Sequence, residues 1–147
     1  MDYVDKCSFR VPGRPVAKQR PRTDYNNPHV YTPDKTLDYE RHVRECCRPH
    51  RPDGWDREGL YEIRIRAVYP DAQIGDGDNI LKSIEDGLNE CLYDDDRQVR
   101  RGSYQVEVDS DTEDGYVDVS VLQLGRSWIE RLSEKVAKWV NYINGVD

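Results

Sequence analysis

The stretch LYEIRIRAVYPDAQIGDGDNILKSIEDGLNEC, residues 60–91, changes its period midway, and that change decides the fold class. Its first ten residues alternate apolar and charged side chains at period two, the mark of a half-buried strand. After GDGDN, the apolar positions Leu81, Ile84, Leu88 and Cys91 recur at spacings of three and four, which predicts a helix over 79–91. Downstream, SYQVEVD (103–109) and YVDVSVLQL (116–124) return to period two, and the intervening DSDTEDG offers Asp114 and Gly115 for a hairpin turn. Upstream, CSFRVPGRP (7–15) reads as a short strand broken by Pro12 and Gly13. The Pro-rich stretch from there through Pro33 has neither period and reads as a long loop. Thr32 and Pro33 predict a helix start with Pro at the first helical position, and Leu37, Tyr39, Val43 and Cys47 supply a partial apolar face. Pro49, Pro52 and Gly54 stop it. A last helix over 127–143 sets Trp128, Leu132, Val136, Trp139, Val140 and Ile143 on one side. Strands with helices inserted between them predict an α+β class: a single domain with a mixed or antiparallel sheet of about four strands and about three helices.

The chain has 147 residues, which by size is one domain with a real core. Ten Tyr and three Trp, with 36% apolar residues, suit a compact fold. No apolar run approaches the roughly 20 residues of a membrane span, and MDYVDKCSFR lacks a signal peptide's apolar stretch. The expectation is a protein of the cytoplasm with no membrane partner. Cys7, Cys46, Cys47 and Cys91 have neither CxxC spacing nor a secreted-domain framework, so they read as reduced thiols. A net charge of -7 argues against DNA until its distribution is considered. Residues 6–22 hold six bases and no acid, whereas 71–118 hold fifteen acids against four bases.

The acidic half is concentrated in GDGDNILKSIEDGLNECLYDDDRQV, residues 75–99. Asp76 and Asp78, two apart, can present carboxylates to one side, an arrangement that suits a hard divalent cation such as Mg²⁺. Such an ion polarises a phosphodiester and lowers the pKa of an attacking water. Helical spacing places Asp78, Lys82, Asp86 and Asn89 on one polar stripe, and Lys82 is suited to stabilising negative charge at phosphorus. Taken alone, the same residues also fit a plain reading, with Asp78 as a helix cap and Lys82 with Asp86 as a solvated i,i+4 pair. An EF-hand fails, because Leu81 or Asp114 falls where Gly is required. No GxSxG, GxxxxGK[ST] or HExxH element occurs, so no nucleotide cofactor is expected.

The order DxDN, Lys three residues after the Asn, DGLN and then DDRQV resembles the signature of the RusA-type Holliday junction resolvases. GRPVAKQRPR (13–22) and YTPDKTLDYE (31–40) are similar to the amino-terminal half of many members. The likeness spans about residues 8–124 and leaves the last helix outside. Carried over by position, it implies metal-binding aspartates at Asp76, Asp78 and Asp96 and a catalytic lysine at Lys82. Within the triple Asp, aligning Gln98 and Val99 selects Asp96, with Asp95 next and Asp94 last. The resemblance further implies Mg²⁺ or Mn²⁺, hydrolysis of DNA phosphodiesters at a four-way junction in recombination and repair, a homodimer, and a bacterial or phage setting.

A helix over 79–91 is roughly 18 Å long, so Asp96 lies beyond its far end. Either the chain doubles back to Asp78 or a partner subunit completes the site. The alternating cations Lys18, Arg20 and Arg22 are the candidates for DNA phosphates, with a solvated charge run as the plain alternative. Tyr25, His29 and Tyr31 serve either base stacking or packing of the loop. Gly75 and Gly77 serve either close approach to a phosphate or a turn. The rival class is a non-catalytic acidic protein that binds a basic partner or mimics DNA.

Overall fold

A computed structural model describes residues 3–19, 22–24, 27–31 and 33–145. Arg20, Tyr25 and Thr32 lie outside the described residues, as do the side chains of Arg22, His29, Tyr31, Trp128 and Leu132. The elements in chain order are β1 (Tyr3–Pro12), β2 (Arg22–Asp24), β3 (Asn27–Tyr31), α1 (Asp34–Cys47), β4 (Tyr61–Tyr69), α2 (Gly77–Gly87), β5 (Val99–Val108), β6 (Tyr116–Leu124) and α3 (Arg126–Ile143). Four strands form a mixed sheet in the order β1-β6-β4-β5, antiparallel except for the β4–β5 pair. The expected α+β domain with three helices is what the chain forms.

One face of this sheet is the core. Cys7, Phe9 and Val11 of β1, Val117, Val119 and Val121 of β6, and Tyr61, Ile63, Ile65 and Ala67 of β4 are buried together with Tyr39, Val43 and Cys47 of α1 and Ile80 and Ile84 of α2. Trp55 stacks on Tyr61 at 5.6 Å and Tyr61 meets Tyr93 at 5.7 Å, aromatic pairs that contribute about 1 kcal/mol each beyond their buried area. The other face carries cross-strand ion pairs, Arg10 with Asp118 at 2.7 Å and Arg66 with Glu107 at 2.8 Å.

Four expectations need correction. The segment expected to be a loop contains the short antiparallel pair β2–β3, whose sequences RTD and NPHVY are too short and too polar to alternate visibly. Pro33 is the N-cap of α1 and precedes its first helical residue; on that helix Thr36 is buried and Leu37 is exposed, with the Thr36 hydroxyl accepting the Gln19 N–H at 3.3 Å. β5 and β6 form no hairpin, because β4 lies between them and the linker must cross its end: Asp109 N donates to Tyr69 O at 2.9 Å. Finally, α2 runs over Gly77–Gly87 and not over 79–91.

Candidate active site

The loop entering α2 is shaped by two tyrosines. A Cβ at Gly75 would stand 2.8 Å from the Tyr69 hydroxyl, and one at Gly77 would stand 2.2 Å from the Tyr104 ring. Both glycines therefore make room for side chains of β4 and β5. Asp76 caps the helix, accepting the Asp78 N–H at 2.9 Å, a contact that stabilises by about 1 kcal/mol. Its other carboxylate oxygen accepts no hydrogen bond among the described residues, and Asp78 stands exposed in the first turn, where the helix dipole favours negative charge.

α2 ends at Gly87, where any Cβ would come within 3.0 Å of the Glu40 carbonyl oxygen of α1. The chain then doubles back. Glu90 adopts φ 66, its N–H donates to Tyr93 O at 2.7 Å, and the Tyr93 hydroxyl donates to Glu85 O at 2.5 Å. Leu88, Leu92 and Tyr93 are buried beneath this return. The path leads to a short 3-10 turn, Asp96–Gln98, held by Gln98, whose amide donates to Arg57 O at 2.7 Å and Gly59 O at 3.0 Å and accepts from Asp94 N and Asp95 N. The three aspartates are thereby separated by partner. Asp94 pairs with Arg57, Asp95 caps the turn through Arg97 N, and Asp96 meets Lys82.

Lys82 also contacts Asp86 Oδ1 at 3.2 Å, and the second Asp86 oxygen meets Lys18 Nζ, which reaches Glu40 Oε1 at 3.3 Å. Glu40, Lys18, Asp86, Lys82 and Asp96 thus form one chain of alternating charge drawn from α1, the 13–19 strap, α2 and the turn after it. Lys18 is placed by its backbone, whose N–H donates to Asn79 O at 2.9 Å. The carboxylates are withdrawn from water, with the Asp86 side chain 13% and the Glu40 side chain 14% exposed. Burial opposes the charge on both lysines. The contacts of Asp96 and Asp86 at Lys82, and of Asp86 and Glu40 at Lys18, outweigh it and hold each ammonium above its usual pKa. Burial pushes the Glu85 carboxyl up, against the pull of Lys82.

The structure therefore brings together Lys18, Lys82 and Asp96 of the expected residues and adds Asp86 as their bridge. Asp76 and Asp78 stay at the head of α2: among the described residues, no group of three or more His, Cys, Asp or Glu is disposed to hold a metal. The donor set is all oxygen and open to solvent. That suits an ion of the Mg²⁺ kind, which takes one or two protein carboxylates together with waters and phosphate oxygens. Glu40 and Glu85 were missed from sequence. Glu85 had a signal, lying three residues after Lys82 and seven after Asp78 on the same helical face. Glu40 is a distant contact with no local signature. The described histidine side chains have other duties, His42 Nε2 against Pro12 O and His50 Nδ1 against Cys46 O.

No helix among the described residues is long and apolar enough to cross a membrane. An uncharacterized protein, YqaN of Bacillus subtilis (strain 168), is 29% identical over 119 residues, covering 65% of this chain and 83% of the relative. A family model described as Endodeoxyribonuclease RusA matches residues 12–121, a span that runs from the end of β1 into β6 and takes in every member of the charged chain around Lys82. On that match, the chain belongs to the RusA endodeoxyribonuclease family.

Proposed function

We propose that this protein resolves four-way DNA junctions by metal-dependent hydrolysis of a phosphodiester, with Asp76, Asp78 and Asp96 as the metal-binding carboxylates and Lys82 at the scissile phosphate. The observation that carries the reading is the return of the chain after α2, which sets Asp96 against Lys82, one helical turn from Asp78, within a single subunit. Mg²⁺ or Mn²⁺ bound there supplies polarisation of the phosphodiester and a water of lowered pKa. The protein's own groups do the rest. Lys82, kept protonated by its two carboxylates, places positive charge where negative charge develops at phosphorus. With Asp96 engaged on a metal, Asp86 would still hold Lys82 through its Oδ1 at 3.2 Å.

Arg20 and Arg22 are the proposed phosphate contacts, together with the one N–H that Lys18 retains after serving Asp86 and Glu40. A homodimer fits symmetric cutting of the two strands of a junction. To test the reading, the full chain is mixed with a synthetic four-way junction and a matched linear duplex, each with Mg²⁺, Mn²⁺ or EDTA. Paired, metal-dependent nicks confined to the junction are expected. Intact binding with no cutting of either DNA would favour the non-catalytic acidic protein instead.

Asp86→Asn is expected to lower the rate at saturating junction by about 10- to 100-fold, the usual consequence of losing a partner that orients a site residue. Junction affinity should hold or rise, since a negative charge is removed. Single-turnover rates set beside anisotropy titrations check this, and an unchanged rate would show that Lys82 needs no second carboxylate.

A further inference from the structure

The segment between α1 and β4 lines an open cavity of about 530 Å³ with Arg48, Arg51, Arg57 and Trp55, and Asp53 is the one acid among its lining residues. On a chain of net charge -7 these three cations stand together, and only Arg57, through Asp94 and Gln98, enters the site so far described. The cavity is fastened to the segment that returns from α2. Arg51 Nη1 donates to Cys91 O at 3.2 Å, Trp55 Nε1 to Leu92 O at 2.8 Å, and Arg57 Nη2 to Asp94 Oδ1 at 2.7 Å, two residues before Asp96. The Cys91 thiol is drawn down to about 7, first by its hydrogen bond with Cys47 and, against its burial, by Arg51, Arg48 and Arg44.

Structural hydrogen bonding does not exhaust these guanidiniums. Each has five N–H donors, and Arg51 and Arg57 spend few of them. The Arg57 Nε is buried and has no hydrogen-bond partner among the described residues. Arg48 makes no ion pair among the described residues and is exposed. Planar forks of this kind match phosphate oxygens in pairs.

We infer that the Arg48, Arg51 and Arg57 cavity is a second phosphate-backbone contact for the DNA, separate from the Lys18 segment and continuous with the turn that carries Asp96. The inference rests on the reading of the chain as a junction-cutting enzyme. Lys18 borders α2 at Asn79 and Asp86, while the arginines border the return beyond the helix's end, so the acidic site would have cations on two sides. Such flanking offsets the repulsion that fifteen acids would otherwise exert on the DNA.

The test uses the full chain, a labelled four-way junction and EDTA to prevent cutting, with affinity measured between 50 and 200 mM salt, roughly the range over which phosphate contacts reveal themselves. Arg48→Glu is compared with Arg48→Lys and with Lys6→Glu, which makes the same charge change on the sheet face away from the helices. Arg48→Glu is expected to weaken binding about tenfold and to reduce the salt slope by about one, while Arg48→Lys keeps the slope. A slope unchanged by Arg48→Glu, or reduced equally by Lys6→Glu, overturns this site alone. Wild-type protein that binds no DNA overturns the functional reading and this site with it.

Discussion

Replacing Asp78 by Asn is expected to reduce junction cutting by at least about 100-fold in either Mg²⁺ or Mn²⁺ while leaving junction binding intact or tighter. Asp78 is exposed in the first turn of α2, and its side chain takes no part in the helix cap, which is made by Asp76. Asn keeps the volume and removes one formal charge and one strong oxygen ligand, so the fold has no reason to change. The loss of negative charge beside a polyanion favours binding, which separates a catalytic defect from a binding defect in one variant. Denaturing gels for product and anisotropy for affinity, both in the same buffer, give the two readings. A variant that cuts at the normal rate would falsify the assignment of Asp78 as a metal ligand, whatever it does to binding.

The parts of this site that could be read from sequence are those fixed by local geometry. Asp78, Lys82 and Asp86 share a helical stripe by spacing alone, and α2 places them there. The helix's true limits depended on contacts elsewhere. It begins at Gly77 because Asp76 caps it, and it stops at Gly87 because α1 presses on that position, so Cys91 belongs to the return and not to the helix. The return itself is specified by Leu88, Leu92 and Tyr93 seeking the core, a nonlocal cause that periodicity does not carry. The same holds for Lys18. Alternation with Arg20 and Arg22 suggested a free phosphate contact, whereas the 13–19 strap lays it against Asp86 and Glu40, 68 and 22 residues away.

Sheet order was less legible than strand identity. The period-two runs of β4, β5 and β6 are plain in the sequence, yet period two says nothing about which strands are neighbours. Adjacency in the chain and the Asp114–Gly115 pair suggested a hairpin. The parallel β4–β5 pair, joined through α2, instead occupies one side of β4 and leaves the slot between β4 and β1 for β6. That arrangement carries the site. Gly102 of β5 receives Leu81 of α2 at what would be 2.9 Å from a Cβ, and Tyr104 covers Gly77, so β5 fixes how α2 presents Asp78 and Lys82.

Gly115→Ala should therefore lower stability by about 3 kcal/mol or more. Gly115 has φ +83, and its added Cβ would stand 2.2 Å from the Val68 carbonyl oxygen and 3.2 Å from the carbonyl carbon, backbone atoms of the central strand that have no room to yield. The contact exists only because the linker from β5 crosses the end of β4 before β6 begins. Gly13→Ala is the matched control. Gly13 sits at the same end of the sheet, donating its N–H to Gly115 O at 3.0 Å, and has φ +100 with nothing within 4 Å of an added Cβ. It should incur only the left-handed backbone penalty, about 1 kcal/mol. At about 2–4 °C per kcal/mol for a chain of this size, thermal unfolding should place Gly115→Ala roughly 6–12 °C below the wild type and Gly13→Ala a few degrees below it. Equal shifts would mean that nothing crowds Gly115, and the crossing of β4, with the β5 support it gives to α2, would have to be abandoned in favour of a β5–β6 hairpin.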